Sequence, residues 1–90
     1  IGVDRLNAVA SEHAGTPTAR QARLLAAQEL FTGGKYPEAR AAFAALAEGP
    51  ADEIQAIAML GEAASLDAQG DVEAALKAYQ AVVGLTGQAF

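Results

Sequence analysis

Two stretches of the chain decide its fold: LFTGGKYPEARAAF (residues 30–43) and LDAQGDVEAALKAY (residues 66–79), which align at an offset of 36 residues. In this register Gly34 aligns with Gly70, and an aromatic residue is kept where Phe43 aligns with Tyr79. Seven further pairs share the register: Ala22 with Ala58, Leu24 with Leu60, Ala27 with Ala63, Leu30 with Leu66, Ala39 with Ala75, Ala42 with Ala78, and Ala45 with Ala81. A period in the thirties predicts a helical repeat whose units pack on their neighbours.

Composition favours helix along the whole chain. Apolar residues make up 52% of it, aromatic residues only 6%, and the commonest apolar residue is alanine, the best helix former. Clusters of glycine and proline separate five segments with helical apolar spacing. The helices are expected at residues 3–13, 17–32, 36–48, 51–69 and 72–84. Because the connections are short, the sequence predicts an all-α chain of antiparallel helical hairpins.

Charge and composition exclude several classes of protein. The chain has 90 residues, a formal net charge of −5 and only six lysines and arginines, so we expect no nucleic-acid partner. Without cysteine it has neither disulfides nor thiolate metal sites. No purely apolar run approaches the roughly 20 residues needed to cross a bilayer, so we expect no membrane insertion by this segment.

The aligned segments resemble the tetratricopeptide-repeat (TPR) family. Residues 34–50 are similar to that family's turn and second helix, and residues 70–82 are similar to it again. The resemblance implies structural repeat positions at Ala27, Gly34, Ala39, Phe43, Ala63, Gly70, Ala75 and Tyr79. Arg23 and Met59 stand where the family has a tryptophan. The fold implied is a right-handed solenoid of stacked hairpins, about five helices in this chain.

The resemblance also divides the chain. It implies that residues 1–15 are the second helix of a preceding partial repeat and that residues 16–50 and 51–84 are two TPR-like repeats. Residues 85–90 would be the start of a next segment or a disordered tail. Residues 12–17, followed by residues 27–31, are similar to bacterial envelope TPR proteins of the YfgM-like kind, which have a membrane anchor and a periplasmic TPR domain. On that ground alone we expect a periplasmic location on a bacterial envelope; a cytoplasmic one stays open.

In the TPR family the first helices of successive hairpins line a concave groove. The corresponding positions here are Gln21, Leu24, Gln28, Phe31, Ile57, Leu60, Ala64 and Asp67. Apolar side chains with a few amides could hold a peptide or a helix of a partner protein. The alternative for Leu24, Ile57 and Leu60 is that they belong to the core. A carboxylate-gripping groove is not expected, because only Arg20 and Arg23 lie near it.

The sequence offers no catalytic constellation. His13 is the only histidine. No second histidine is available for a Ser/His/Asp set, and no cluster of histidines can hold a metal. Glu29 with Glu62, or Asp67 with Asp71, could pair as acid and base, but such carboxylates on alanine-rich helices usually form the solvated face. We therefore expect no catalytic residues, no metal and no cofactor.

Two functions remain open after these exclusions. The first is a non-catalytic protein–protein interaction scaffold in a bacterial envelope assembly. The alternative is a self-association module that forms homo-oligomers through its exposed terminal helices, residues 3–13 and 72–84. Apolar stripes at the ends of a helical stack favour this alternative, because they lack a neighbouring repeat.

Overall fold

The structure, a computed structural model, describes residues 2–89, with side chains described as far as Leu85. Five helices occupy this part of the chain: α1 (Val3–Glu12), α2 (Pro17–Thr32), α3 (Tyr36–Ala47), α4 (Glu53–Ala68) and α5 (Val72–Ala89). No strand is present among the described residues. The predicted all-α class is confirmed. The terminal residues Ile1 and Phe90, which fall in the first and last predicted parts of the chain, lie outside the described residues.

Helix bounds agree with expectation within two residues, except at the end of α5. This helix was expected to stop at Gly84 but continues to Ala89. A glycine ends a helix when it takes up the left-handed conformation, as Gly34 and Gly70 do here, with φ of 79° and 85°. Gly84 does not have a positive φ. It is instead an interior helix glycine, at a cost of about 1 kcal/mol relative to alanine.

The turns after α2 and α4 have the same hydrogen-bond pattern. In each, the left-handed glycine and the residue after it donate their N–H groups to carbonyls of the last helical turn. The four bonds, of 2.9–3.0 Å, run from Gly34 to Phe31, Lys35 to Leu30, Gly70 to Asp67, and Asp71 to Leu66. Every donor and acceptor of the second turn lies 36 residues after its counterpart. The repeat seen in the sequence is therefore also a repeat of backbone geometry.

The helices pack through small residues. Ala27 and Ala39 are fully buried between α2 and α3, and their repeat counterparts Ala63 and Ala75 are buried between α4 and α5. Helices α2, α3 and α4 each contact the other two, and in the described residues α1 packs on α2 and α5 packs on α4. The Cα atoms span only 15 Å in the shortest direction, which fits two layers of helices at the usual separation of about 8–10 Å. Direct contact between α2 and α4 places two first helices side by side.

Side chains cap the N-termini of α2, α4 and α5, whereas α1 and α3 begin without a side-chain cap. Thr16 accepts a hydrogen bond from the N–H of Ala19 at 3.2 Å, and Asp71 accepts one from the N–H of Ala74 at 3.3 Å, as their positions before α2 and α5 predict. Asp52 caps α4, and this cap was not predicted, because α4 was expected to start at 51, two residues before its observed start at Glu53.

A polar cluster fixes the connection between α3 and α4. The Arg20 guanidinium lies 2.9 Å from Asp52 Oδ1, which also accepts from the N–H of Gln55 at 2.8 Å. The side chain of Gln55 donates to the carbonyls of Ala47 and Gly49, at 3.0 and 3.4 Å. The hydrogen bond from the Gln55 N–H, helped by Arg20, holds the pKa of Asp52 below its ordinary value of 3.8. The start of α2 is thereby tied to the start of α4.

Candidate functional site

An open apolar depression lies between α2 and α4. Its volume is about 410 Å³, and it is lined by Gln28, Phe31, Thr32, Phe43, Ile57, Leu60, Gly61 and Ala64. Helix α2 supplies the first three residues, α4 supplies the last four, and Phe43 reaches it from α3. Only two of these side chains, Gln28 and Thr32, are polar. The depression can therefore bury apolar groups of a ligand but offers few hydrogen bonds.

Large apolar side chains stay exposed at this depression. Leu60 retains 49% of its accessible surface and Ile57 retains 37%. They are spaced three residues apart on α4, so they lie on one face of the helix. By contrast, Ala58 and Ala63 face the interior and are fully buried. The buried residues that pack against other helices and the exposed apolar residues thus lie on different faces of α4.

Phe31 is held in place from the next helix. Its ring meets the ring of Tyr36 edge to face, with centroids 5.2 Å apart and planes inclined by 68°. This pair bridges the turn at Gly34, which joins α2 to α3. The contact with Tyr36 therefore preorganises Phe31, which forms one wall of the depression.

Gly61 forms the floor of the depression on α4. A β-carbon at this position would lie 2.5 Å from Cε1 of Phe43, so the aromatic ring rests directly on the glycine backbone. The hydroxyl of Ser65, which is fully buried, donates to the Gly61 carbonyl at 2.8 Å. The missing side chain at Gly61 allows α3 and α4 to approach closely where the depression forms.

The structure brings together five of the eight residues predicted for the groove: Gln28, Phe31, Ile57, Leu60 and Ala64. The other three lie elsewhere. Gln21 is exposed seven residues before Gln28, on the same face of α2, and Asp67 is exposed beyond Ala64 on α4. Leu24 is half-buried and packs against the core cluster around Phe43. The binding role of all eight stays a prediction.

Three residues that line the depression were missed as groove positions: Thr32, Gly61 and Phe43. Helical spacing could have found two of them, since Thr32 is four residues after Gln28 and Gly61 is four residues after Ile57. Phe43 could not have been found this way, because it belongs to another helix.

Carboxylates stand at both ends of the exposed face of α4. Five residues follow each other at intervals of three or four and therefore share one face of the helix. They are Glu53, Ile57, Leu60, Ala64 and Asp67. Glu53 and Asp67 are exposed. The apolar stripe is thus bounded by a negative charge at each end, and α4 contains no lysine or arginine.

The two arginines considered near the groove do not line the depression. Arg20 and Arg23 border a different cavity of about 360 Å³ together with Asn7, Ala42, Ala45 and Leu46, from α1 and α3. Arg20 is already paired with Asp52. The arginines and the apolar depression are therefore separate features of α2.

Polar groups suited to catalysis or metal binding are dispersed. His13 is exposed at the C-terminal end of α1. Within residues 2–89, no group of three or more histidine, aspartate or glutamate side chains is placed to hold a metal ion. None of the helices within that range has the length and hydrophobicity of a membrane-spanning segment.

Comparison with known proteins agrees with the repeat geometry. A family model described as "Tetratricopeptide repeat-like domain" matches residues 2–88. The chain belongs to this family. Domains of the TPR-like family generally act as protein–protein interaction scaffolds and are generally non-catalytic. A search of curated proteins found no match, and a search of solved structures found none.

Proposed function

We propose that this TPR-like domain is a non-catalytic scaffold that holds a peptide or helix of a partner protein in the groove between α2 and α4. The observation that carries the proposal is the depression itself, which combines exposed Leu60 and Ile57 with a floor of Gly61 and Ala64. Small residues in the floor make room, and large residues at the sides supply apolar contact.

Burial of the groove leucine and isoleucine gives a partner a source of affinity. Fully burying such a side chain contributes about 1.5–3 kcal/mol, so two half-exposed ones contribute about 2 kcal/mol together. The Phe31–Tyr36 contact lowers the cost of ordering the site. The choice of partner would then depend on how well the partner's apolar side chains fill the depression.

An affinity pull-down with two matched double variants tests this proposal. Ile57→Gln with Leu60→Gln removes the apolar walls of the depression, and Val72→Gln with Leu76→Gln makes the same kind of change on the exposed face of α5. We expect a partner retained by the parent chain to be lost from the first variant and kept by the second. Equal retention by both variants would contradict the groove as the binding site.

Self-association remains a second candidate because of α5. Val72 and Leu76 are 66% and 56% exposed and lie four residues apart, so they form an apolar patch on one face. If a second copy binds there, sedimentation equilibrium should give a mass that rises with concentration, and Val72→Gln with Leu76→Gln should abolish the rise. A constant monomer mass for the parent chain would exclude this role.

We also propose that the domain works on the periplasmic side of a bacterial envelope, within a right-handed solenoid of a YfgM-like protein. The support is the resemblance of residues 12–17 and 27–31 to that group. A protease added to spheroplasts should digest the domain if it faces the periplasm and should spare it if it is cytoplasmic.

A further inference from the structure

The net negative charge of the chain comes from the half that contains α4 and α5. From Asp52 onward there are six acidic residues and one basic residue, Lys77, which accounts for the whole net charge of −5. Residues 1–51 contain five of each sign and are neutral. The α4 wall of the groove therefore belongs to an acidic segment and the α2 wall to a neutral one, which favours a partner with positive charge.

The charges on α4 stand at the ends of its apolar stripe. Glu53 and Asp67 are 14 residues apart on one face, which corresponds to about 21 Å along a helix axis. Ile57, Leu60 and Ala64 occupy the interval between them. A segment that lies along this stripe meets apolar surface at its centre and a carboxylate near each end.

The C-terminal end of α4 adds to this preference. The last turn contains Asp67 and no basic residue, so the negative end of the helix dipole is not compensated within α4. Asp52, near the opposite end, is already paired with Arg20. Glu53 and Asp67 are thus the carboxylates of this face that are placed to attract a cation from a partner.

The lining of the depression indicates the conformation of the partner. Backbone N–H and C=O groups need partners when they are buried, and Gln28 and Thr32 are the only polar side chains of the lining. An extended segment would leave most of its backbone groups unpaired against this surface. A helix satisfies them internally and can fill the space with side chains of one face.

We infer that the groove binds a cationic amphipathic helix of a partner protein, with its apolar face on Leu60 and Ile57 and its lysines or arginines beside Glu53 and Asp67. This inference rests on the function proposed above and adds the chemistry of the partner to it.

The test uses three fluorescent peptides of about 18 residues, long enough for four to five helical turns. They share one leucine-rich face and carry lysine, glutamine or glutamate at the remaining positions. Binding is followed by fluorescence anisotropy at about 50 mM and about 300 mM salt, because screening weakens exposed charge pairs. The protein variants are Glu53→Gln with Asp67→Asn, and the matched Glu12→Gln with Glu38→Gln, which removes two exposed charges from the neutral half.

The lysine peptide should bind at least about tenfold more tightly than the glutamate peptide at low salt, with a smaller difference at high salt. Glu53→Gln with Asp67→Asn should weaken binding of the lysine peptide by roughly fivefold, which is the size expected for two exposed ion pairs. The matched variant should change it less than about twofold. Equal binding of lysine and glutamate peptides, equal losses in both variants, or no binding of any peptide would overturn the inference.

One further variant separates failure of this inference from failure of the proposed function. If the three peptides bind the parent chain equally and Ile57→Gln with Leu60→Gln weakens all of them, the groove binds helices without regard to charge, and only the charge preference is wrong. If that variant leaves the binding of every peptide unchanged, the peptides bind elsewhere, and both the groove and its charge preference are contradicted. Far-UV circular dichroism of each variant checks that the helices remain folded.

Discussion

The ring of Phe43 packs directly on the α-carbon of Gly61, and a β-carbon at Gly61 would come within 2.5 Å of Cε1 of that ring. Phe43 is buried and is the largest side chain of the core cluster shared by α2, α3 and α4. The glycine therefore sets how closely α3 approaches α4. The absence of a side chain at Gly61 also deepens the groove. The packing of α3 on α4 and the shape of the candidate site therefore depend on the same contact.

Gly61→Ala should destabilise the fold, although alanine is the better helix former. The gain in helix propensity is about 1 kcal/mol, whereas forcing an extra carbon into a packed site costs about 1–3 kcal/mol. Gly84→Ala is the matched control, because a β-carbon there would meet nothing within 4 Å, and it should stabilise by up to about 1 kcal/mol. Urea unfolding followed by circular dichroism measures both.

A stabilising Gly61→Ala would contradict the contact with Phe43. Coupling between the two residues gives an independent check, since Phe43→Leu removes the ring that the new methyl group would strike. The loss caused by Gly61→Ala should therefore be smaller in the Phe43→Leu background, by about 0.5–3 kcal/mol.

The two repeat turns should respond alike to substitution. Gly34→Ala and Gly70→Ala each place a β-carbon on a residue with positive φ, at a cost of about 1–2 kcal/mol. Nothing lies within 4 Å of a β-carbon at Gly34 or Gly70, so steric contact does not add to this cost. A loss below about 0.5 kcal/mol in both variants, measured by urea unfolding, would show that positive φ does not limit these positions.

Asp52 should make the stability depend on pH in the acid range. Its pKa is lowered in the folded state by the N–H of Gln55 and by Arg20, so its contribution is fully present above the unfolded value of 3.8 and is lost as pH falls through the lower folded value. The melting temperatures of the parent and Asp52→Asn should therefore differ near neutral pH and converge as the pH falls below about 4. A gap that widens in acid would contradict the role assigned to this carboxylate.

Leu24 and Leu25 should differ sharply although they are neighbours. Leu24 packs on the core cluster, so Leu24→Ala should cost about 2 kcal/mol or more. Leu25 is half-exposed on the outer face of α2, so Leu25→Gln should change stability by less than about 0.5 kcal/mol. Thermal unfolding of the two variants decides the phase of α2, and similar losses would show that this phase is wrong.

The sequence predicted the repeat turns because their requirement is local: only glycine takes up positive φ without strain, and Gly34 and Gly70 stand in matching positions. It could not decide between Leu24 and Leu25, since adjacent leucines fit either phase of a helix. Nor could it predict the role of Gly61 or the pairing of Arg20 with Asp52. Both depend on residues that are distant in the chain and meet only after the helices pack.

Site-specific photo-crosslinking shows whether a partner protein contacts the groove. A benzophenone amino acid replaces Leu60 in the groove or, as the control, Leu76 on the exposed face of α5. The adducts formed in envelope extract are identified by mass spectrometry. We expect a specific adduct with another protein at Leu60 and none with that protein at Leu76. Adducts at Leu76 alone, or adducts only between two copies of the chain, would contradict the groove as the binding site.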